Sequence, residues 1–239
     1  MPGPAQYIVW LIGALLEATV VVCAFRRNAF RRYIFLNVYM ASEFVASAAR
    51  FEMMRHYGFL SLAYAYFYYY SDALLTILLF LALSSLYSEV FRELNAERYV
   101  QMGSVVLLAG TALFSFAVVH QSFTVAEQSS GKIFFHFVFE VSQNLYFVGL
   151  VLTYILWAAI LKLRETRTRL IQLVLSLGVY FSLYAANYAL RNLYPSAEAI
   201  FTVLNPLIGC FLPFAWAYAF WKLPEEARLA PAELAVSPR

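Results

Sequence analysis

Four carboxylates stand inside stretches of sequence otherwise fit for lipid: Glu17, Glu43, Asp72 and Glu140. A carboxylate at the centre of a bilayer costs about 2.5–3.5 kcal/mol on insertion scales, so such groups turn towards protein or water and are candidates for binding or proton chemistry. Residues three and four apart share a helical face, and this spacing gathers polar neighbours around the acids. Tyr64, Tyr68, Asp72 and Thr76 form one stripe; His136, Glu140 and Asn144, with Gln143 beside them, form a second. Tyr39, Glu43, Ser47 and Arg50 share a third face. Tyr180, Tyr184, Asn187 and Tyr188 mark a further segment, and Thr202, Asn205 and Gly209 the last.

Aromatic faces and carboxylates both attract positive charge. The residue types therefore predict a tyrosine-walled cavity with acids at its base, suited to a small cationic or amphipathic organic ligand. Its expected contributors are Tyr64, Tyr68, Asp72, Glu43, Glu140, Asn144, Tyr184, Asn187 and Asn205. The competing reading is that these groups glue helices together, each hydrogen bond contributing about 0.6 kcal/mol in lipid. A metal site is a third possibility. Glu52 with His56, and His136 with Glu140, are each four apart, and imidazole with carboxylate can hold zinc and support hydrolysis. The candidate ligands are His136, Glu140 and His56.

The elements that must position these groups follow from composition. The chain has 239 residues, 63% hydrophobic and 13% charged, against about 45–50% and about 25% for a soluble domain. Seven apolar stretches, at 6–25, 33–49, 59–90, 99–120, 133–163, 170–190 and 197–221, are long enough for membrane crossing, which takes about 20 helical residues. Barrel strands alternate in polarity over about 10 residues, whereas these runs are longer and continuously apolar. The expected fold is all-α, a polytopic seven-helix transmembrane bundle over residues 1–222 with a short tail at 223–239. Thirteen of the seventeen Arg and Lys fall on the side of the first loop, "RRNAFRR". The positive-inside rule then puts the N-terminus outside and the C-terminal tail in the cytoplasm. "MPGPAQ" carries no basic residue, unlike a signal peptide, so the first segment is expected to be a retained anchor in the cell membrane.

Other classes fall away on single features. The formal charge of +3 gives no case for nucleic acid. The lysines, Lys132, Lys162 and Lys222, lie at expected helix ends, so retinal has no mid-membrane amine to bind. No phosphate-binding glycine loop is present, and Cys23 and Cys210 fall at different depths, which argues against a disulfide. Residues 50–91, "RFEMMRHYGFLSLAYAYFYYYSDALLTILLFLALSSLYSEVF", resemble the same region of uncharacterised bacterial seven-helix membrane proteins. That resemblance implies the fold and carries no known activity. Three functions stay open at this level. The first is a ligand sensor, not itself an enzyme, that signals through a separate cytoplasmic partner. The second is a proton-linked secondary transporter, and the third a zinc-dependent membrane hydrolase.

Overall fold

The computed structural model describes residues 4–59, 61–92, 97–123, 130–163, 167–194 and 198–224. Among them are seven helices: α1 Pro4–Arg26, α2 Ile34–Tyr57, α3 Leu62–Val90, α4 Glu97–Phe123, α5 Ser130–Leu163, α6 Thr168–Leu193 and α7 Glu198–Lys222. Six of them are long and apolar enough to cross a membrane. The exception is α2. Its 24 residues would reach about 36 Å, but Asn37, Glu43, Arg50, Glu52, Arg55 and His56 dilute its apolar content. The tail beyond residue 224, and the side chain of Thr202, lie outside the described residues.

Local signals set the helix ends. Asn28 adopts φ 54° between α1 and α2, and Gly58 adopts φ 82° after α2; Asn and Gly are the residues that enter this left-handed region most readily. Ser61 caps α3, its hydroxyl accepting from the Tyr64 backbone N–H at 3.1 Å. Pro206 and Pro213 both sit inside α7, which continues as helix through them.

The packing order differs from the chain order. Helices α1, α2, α3, α5, α6 and α7 close a ring, each touching the next and α7 returning to α1, while α4 lies outside against α5 and α3. Large apolar side chains cover the outward surfaces, among them Leu11, Leu15, Val105, Phe114, Tyr154 and Phe214. In water such a surface would drive association, whereas it suits lipid. Because lipid tails are as apolar as leucine, helix association there depends on close packing. Helices α5 and α6 approach closely through small residues: a Cβ on Gly149 would fall 2.5 Å from the Phe181 ring, and one on Gly178 would fall 2.9 Å from Thr153 Cγ2. Phe181 is buried between Tyr146 and Tyr180 and cannot swing clear. Gly149→Ala is therefore expected to destabilise by about 1–3 kcal/mol. Gly110→Ala on α4, where a Cβ meets nothing within 4 Å, should be neutral or stabilise by about 0.5–1 kcal/mol. Thermal unfolding of the two variants in detergent compares them, and equal midpoints would contradict the close α5–α6 approach.

The two ends of the ring differ. Towards the α1–α2 connection and the end of α7 the interior is filled, with Leu36, Met40, Leu79, Leu83, Leu86, Leu173, Trp216 and Phe220 almost wholly buried. Arginines tie this end together. Glu89, at the end of α3, accepts from Arg32 Nε at 2.8 Å, from Arg32 Nη2, from Arg167 Nη1 at 2.9 Å and from Arg92 Nη1 at 3.3 Å. Arg27 Nη2 donates to the Trp221 carbonyl at 2.8 Å, and Arg169 Nη2 to the Leu223 carbonyl at 2.6 Å. These last carbonyls of a helix lack intrahelical donors, and the guanidinium groups supply them. Basic loops legible in the sequence only as topology signals thus also clamp the helix ends.

Candidate functional site

The opposite half of the ring is hollow. Where the start of α1, the end of α2, the starts of α3 and α7 and the end of α6 meet, a cavity of about 770 Å³ remains. Each helix contributes a polar group by its own periodicity. Helix α1 brings Glu17; α2 brings Tyr39, Glu43, Ser47 and Arg50, one face at spacings of four, four and three. Helix α3 brings Tyr64, Tyr68 and Asp72, again at spacings of four. Tyr180, Tyr184, Asn187 and Tyr188 come from α6, and Asn205, Gly209 and Cys210 from α7.

The wall is a connected series of aromatic rings. Tyr64 neighbours Tyr68 at 6.3 Å between centroids, Tyr68 neighbours Tyr69 at 5.5 Å, and Tyr69 neighbours Phe139 at 6.1 Å. Phe139 continues to Tyr188 at 6.1 Å, Tyr188 to Tyr184 at 6.4 Å and Tyr184 to Tyr180 at 4.7 Å. Ring pairs at 4.5–7 Å add about 0.5–1.5 kcal/mol beyond burial, so the wall is stiff as well as aromatic. Tyr146 stacks behind Tyr184 at 4.8 Å, and Tyr39 meets the Trp216 edge at 6.1 Å beneath the cavity. Trp10 of α1 stacks on Phe51 of α2 at 5.1 Å, and the exposed Tyr7, Phe51 and Phe59 bring the lining to the surface near the α2–α3 connection.

Arg50 organises the charged part. Its Nε donates to Ser71 Oγ at 2.8 Å and its Nη2 to the Tyr68 carbonyl at 3.4 Å. The guanidinium carbon stands 4.4 Å from the Tyr68 ring centroid, and Nη2 lies 4.0 Å from Asp72 Oδ1. A planar cation that is stacked, hydrogen-bonded and ion-paired at once is the role in which Arg cannot be replaced by Lys. Glu43 and Glu17 stand within electrostatic reach of one another and of Arg50. Glu17, Glu43 and Asp72 therefore line one cavity together with Arg50. Comparison with protein-family models, with curated proteins and with solved structures finds no match to this chain. The reading of the site rests on its own geometry.

Seven of the nine residues expected to bind ligand line the cavity: Tyr64, Tyr68, Asp72, Glu43, Tyr184, Asn187 and Asn205. Asn187 and Asn205 also bridge α6 and α7, Asn187 Nδ2 donating to Asn205 Oδ1 at 2.5 Å. Glu140 and Asn144 do not line it. Asn144 Nδ2 donates to the buried Ser115 Oγ at 2.9 Å and fastens α4 to α5, because the helical turn that carries Phe139 into the cavity turns Asn144 the other way. At Asn144 the polar side chain joins two helices. Glu17, Tyr39, Ser47, Arg50 and Tyr180 line the cavity without having been assigned to it from sequence. The same-face spacing of Tyr39, Glu43, Ser47 and Arg50 was the signal for three of them.

The proposed zinc ligands do not assemble. His56 is exposed and pairs with Glu52 across one turn at 2.8 Å, while His136 and Glu140 belong to α5. Among the described residues no three His, Cys, Asp or Glu side chains come together as a metal site. Both Cys23 and Cys210 are free thiols.

Proposed function

We propose that this is a seven-span membrane protein with its N-terminus outside, and that it binds a small organic ligand from the outer side. The observation that carries the reading is the cavity of about 770 Å³ lined by Glu17, Glu43, Asp72 and Arg50 together with tyrosines. Ligand sites of about 300–1,000 Å³, mostly apolar with a few convergent polar groups, are the usual form of small-molecule pockets. The excess of Arg on the filled end supports the orientation, and it leaves the mouth of the cavity facing away from the cytoplasm. The packed end beneath Trp216 argues for a receptor in which ligand contacts bias the ring of helices, with a cytoplasmic partner reading the change at the α1–α2 and α5–α6 connections. Proton-linked transport is the second reading, favoured by three carboxylates in one cavity. It requires the core beneath Trp216 to open, and proton-coupled flux into liposomes separates it from sensing.

Thiol labelling tests access and orientation together. With Cys23→Ala and Cys210→Ala as background, Ser47→Cys should react with a small membrane-impermeant methanethiosulfonate added outside intact cells. Labelling only in inside-out vesicles would reverse the orientation. Failure to label from either face would mean that the cavity is closed to water and lost as a ligand site.

A further inference from the structure

We propose that the cavity takes an organic cation, whose ammonium group is held by Glu17 and whose apolar body lies along the tyrosine wall. This rests on the ligand-binding reading above and fixes the chemistry of its ligand. Asp72, the acid most prominent in the sequence, already has Arg50 beside it at 4.0 Å. Glu17 does not. It is only 6% exposed and lines the cavity, and its Oε2 finds no hydrogen-bond partner among the described residues. Asn187, 3% exposed and lining the same cavity, likewise leaves its Oδ1 without a partner among the described residues. Buried acceptors left unmatched are costly, and two of them on residues that line one cavity call for an occupant that brings N–H donors.

Charge points the same way. Among the described lining residues Arg50 is the one cationic side chain, against Glu17, Glu43 and Asp72. An anionic occupant would worsen that imbalance, whereas a cation relieves it. Tyr39, Tyr180 and Tyr184, which line the same cavity, are of the residue type whose rings attract ammonium groups. A bare metal ion is the poorer occupant, because no group of three His, Cys, Asp or Glu forms among the described residues. The volume leaves room for an apolar body next to the charged head.

A charge series on one ring tests this. Benzylamine, benzyl alcohol and phenylacetate are titrated by calorimetry into the whole protein in phosphatidylcholine nanodiscs, with empty nanodiscs subtracted. Benzylamine should bind about tenfold or more tighter than benzyl alcohol, with phenylacetate weakest. Glu17→Gln should remove that preference, while Glu140→Gln, outside the cavity, should keep it. If wild type binds amine and alcohol equally, the cavity stands and the cation assignment is overturned. An amine preference that survives Glu17→Gln overturns the role of Glu17. Should Glu17→Gln fail to fold, the wild-type series still decides the ligand class, and Glu17→Asp, with its carboxylate drawn back by one methylene, decides the residue. Binding of none of the three probes to wild type would sink both this proposal and the ligand-binding reading on which it rests.

Discussion

Glu89→Ala is expected to lower the stability of the fold by about 2–4 kcal/mol, the range for losing one partner of a buried ion pair reduced for the partial exposure of Arg32 and Glu89. Glu89 is 11% exposed and receives Arg32, Arg92 and Arg167, from the α1–α2 connection, the end of α3 and the start of α6. Without it three guanidinium groups lose the carboxylate they share, while Arg167 keeps its bond to the α3 backbone, through the Glu89 carbonyl at 3.2 Å. Arg92→Ala is the control. Its side chain is 54% exposed, and exposed pairs contribute about 0–1 kcal/mol. Unfolding followed by intrinsic fluorescence in mixed detergent gives both values. A loss at Glu89 no greater than that at Arg92 would mean that the arginine clamp holds nothing.

The second large effect is expected at Arg50. Arg50→Met keeps an unbranched side chain and removes the charge, leaving Asp72, Glu43 and Glu17 with no cation among the described lining residues. Allowing for the partial exposure of Arg50 and Asp72, the loss should be about 2–4 kcal/mol. Asp72→Asn alone should do much less. Together with Arg50→Met it should recover part of the loss, because it removes one of the acids left uncompensated. The double-mutant cycle should return a coupling of about 1 kcal/mol or more. Strict additivity would mean that the 4.0 Å separation between Arg50 and Asp72 carries no interaction, and that Arg50 acts through its other neighbours, Ser71, Tyr68, Glu43 and Glu17.

The helices themselves were written in the sequence. Runs of apolar residues too long for barrel strands left helix as the solution for backbone amides without water, and the expected segments correspond in order to helices α1 to α7, six of them apolar enough to cross a membrane. The site was legible to the extent that it follows one helix at a time. The spacing of Tyr64, Tyr68 and Asp72, and of Tyr39, Glu43, Ser47 and Arg50, places each set on one face, and both faces line the cavity. Asn144 shows the limit. It stands one turn from Glu140, as Asp72 stands one turn from Tyr68, but periodicity says only that such residues share a face and not which neighbour that face meets. Asn144 meets Ser115 on α4.

The sequence alone determined that the chain is helical, that its acids could not face lipid, and that its arginines gather at one end, because all three follow from the solvation of single groups. Tertiary structure decided the rest. It put α4 outside a ring of six helices, gave Asp72 an arginine and left Glu17 Oε2 without a donor among the described residues. It also turned topology-setting arginines into a clamp on Glu89. Which carboxylate is paired and which is left facing the cavity depends on how separate helices are rotated against each other, and local periodicity holds no term for that rotation.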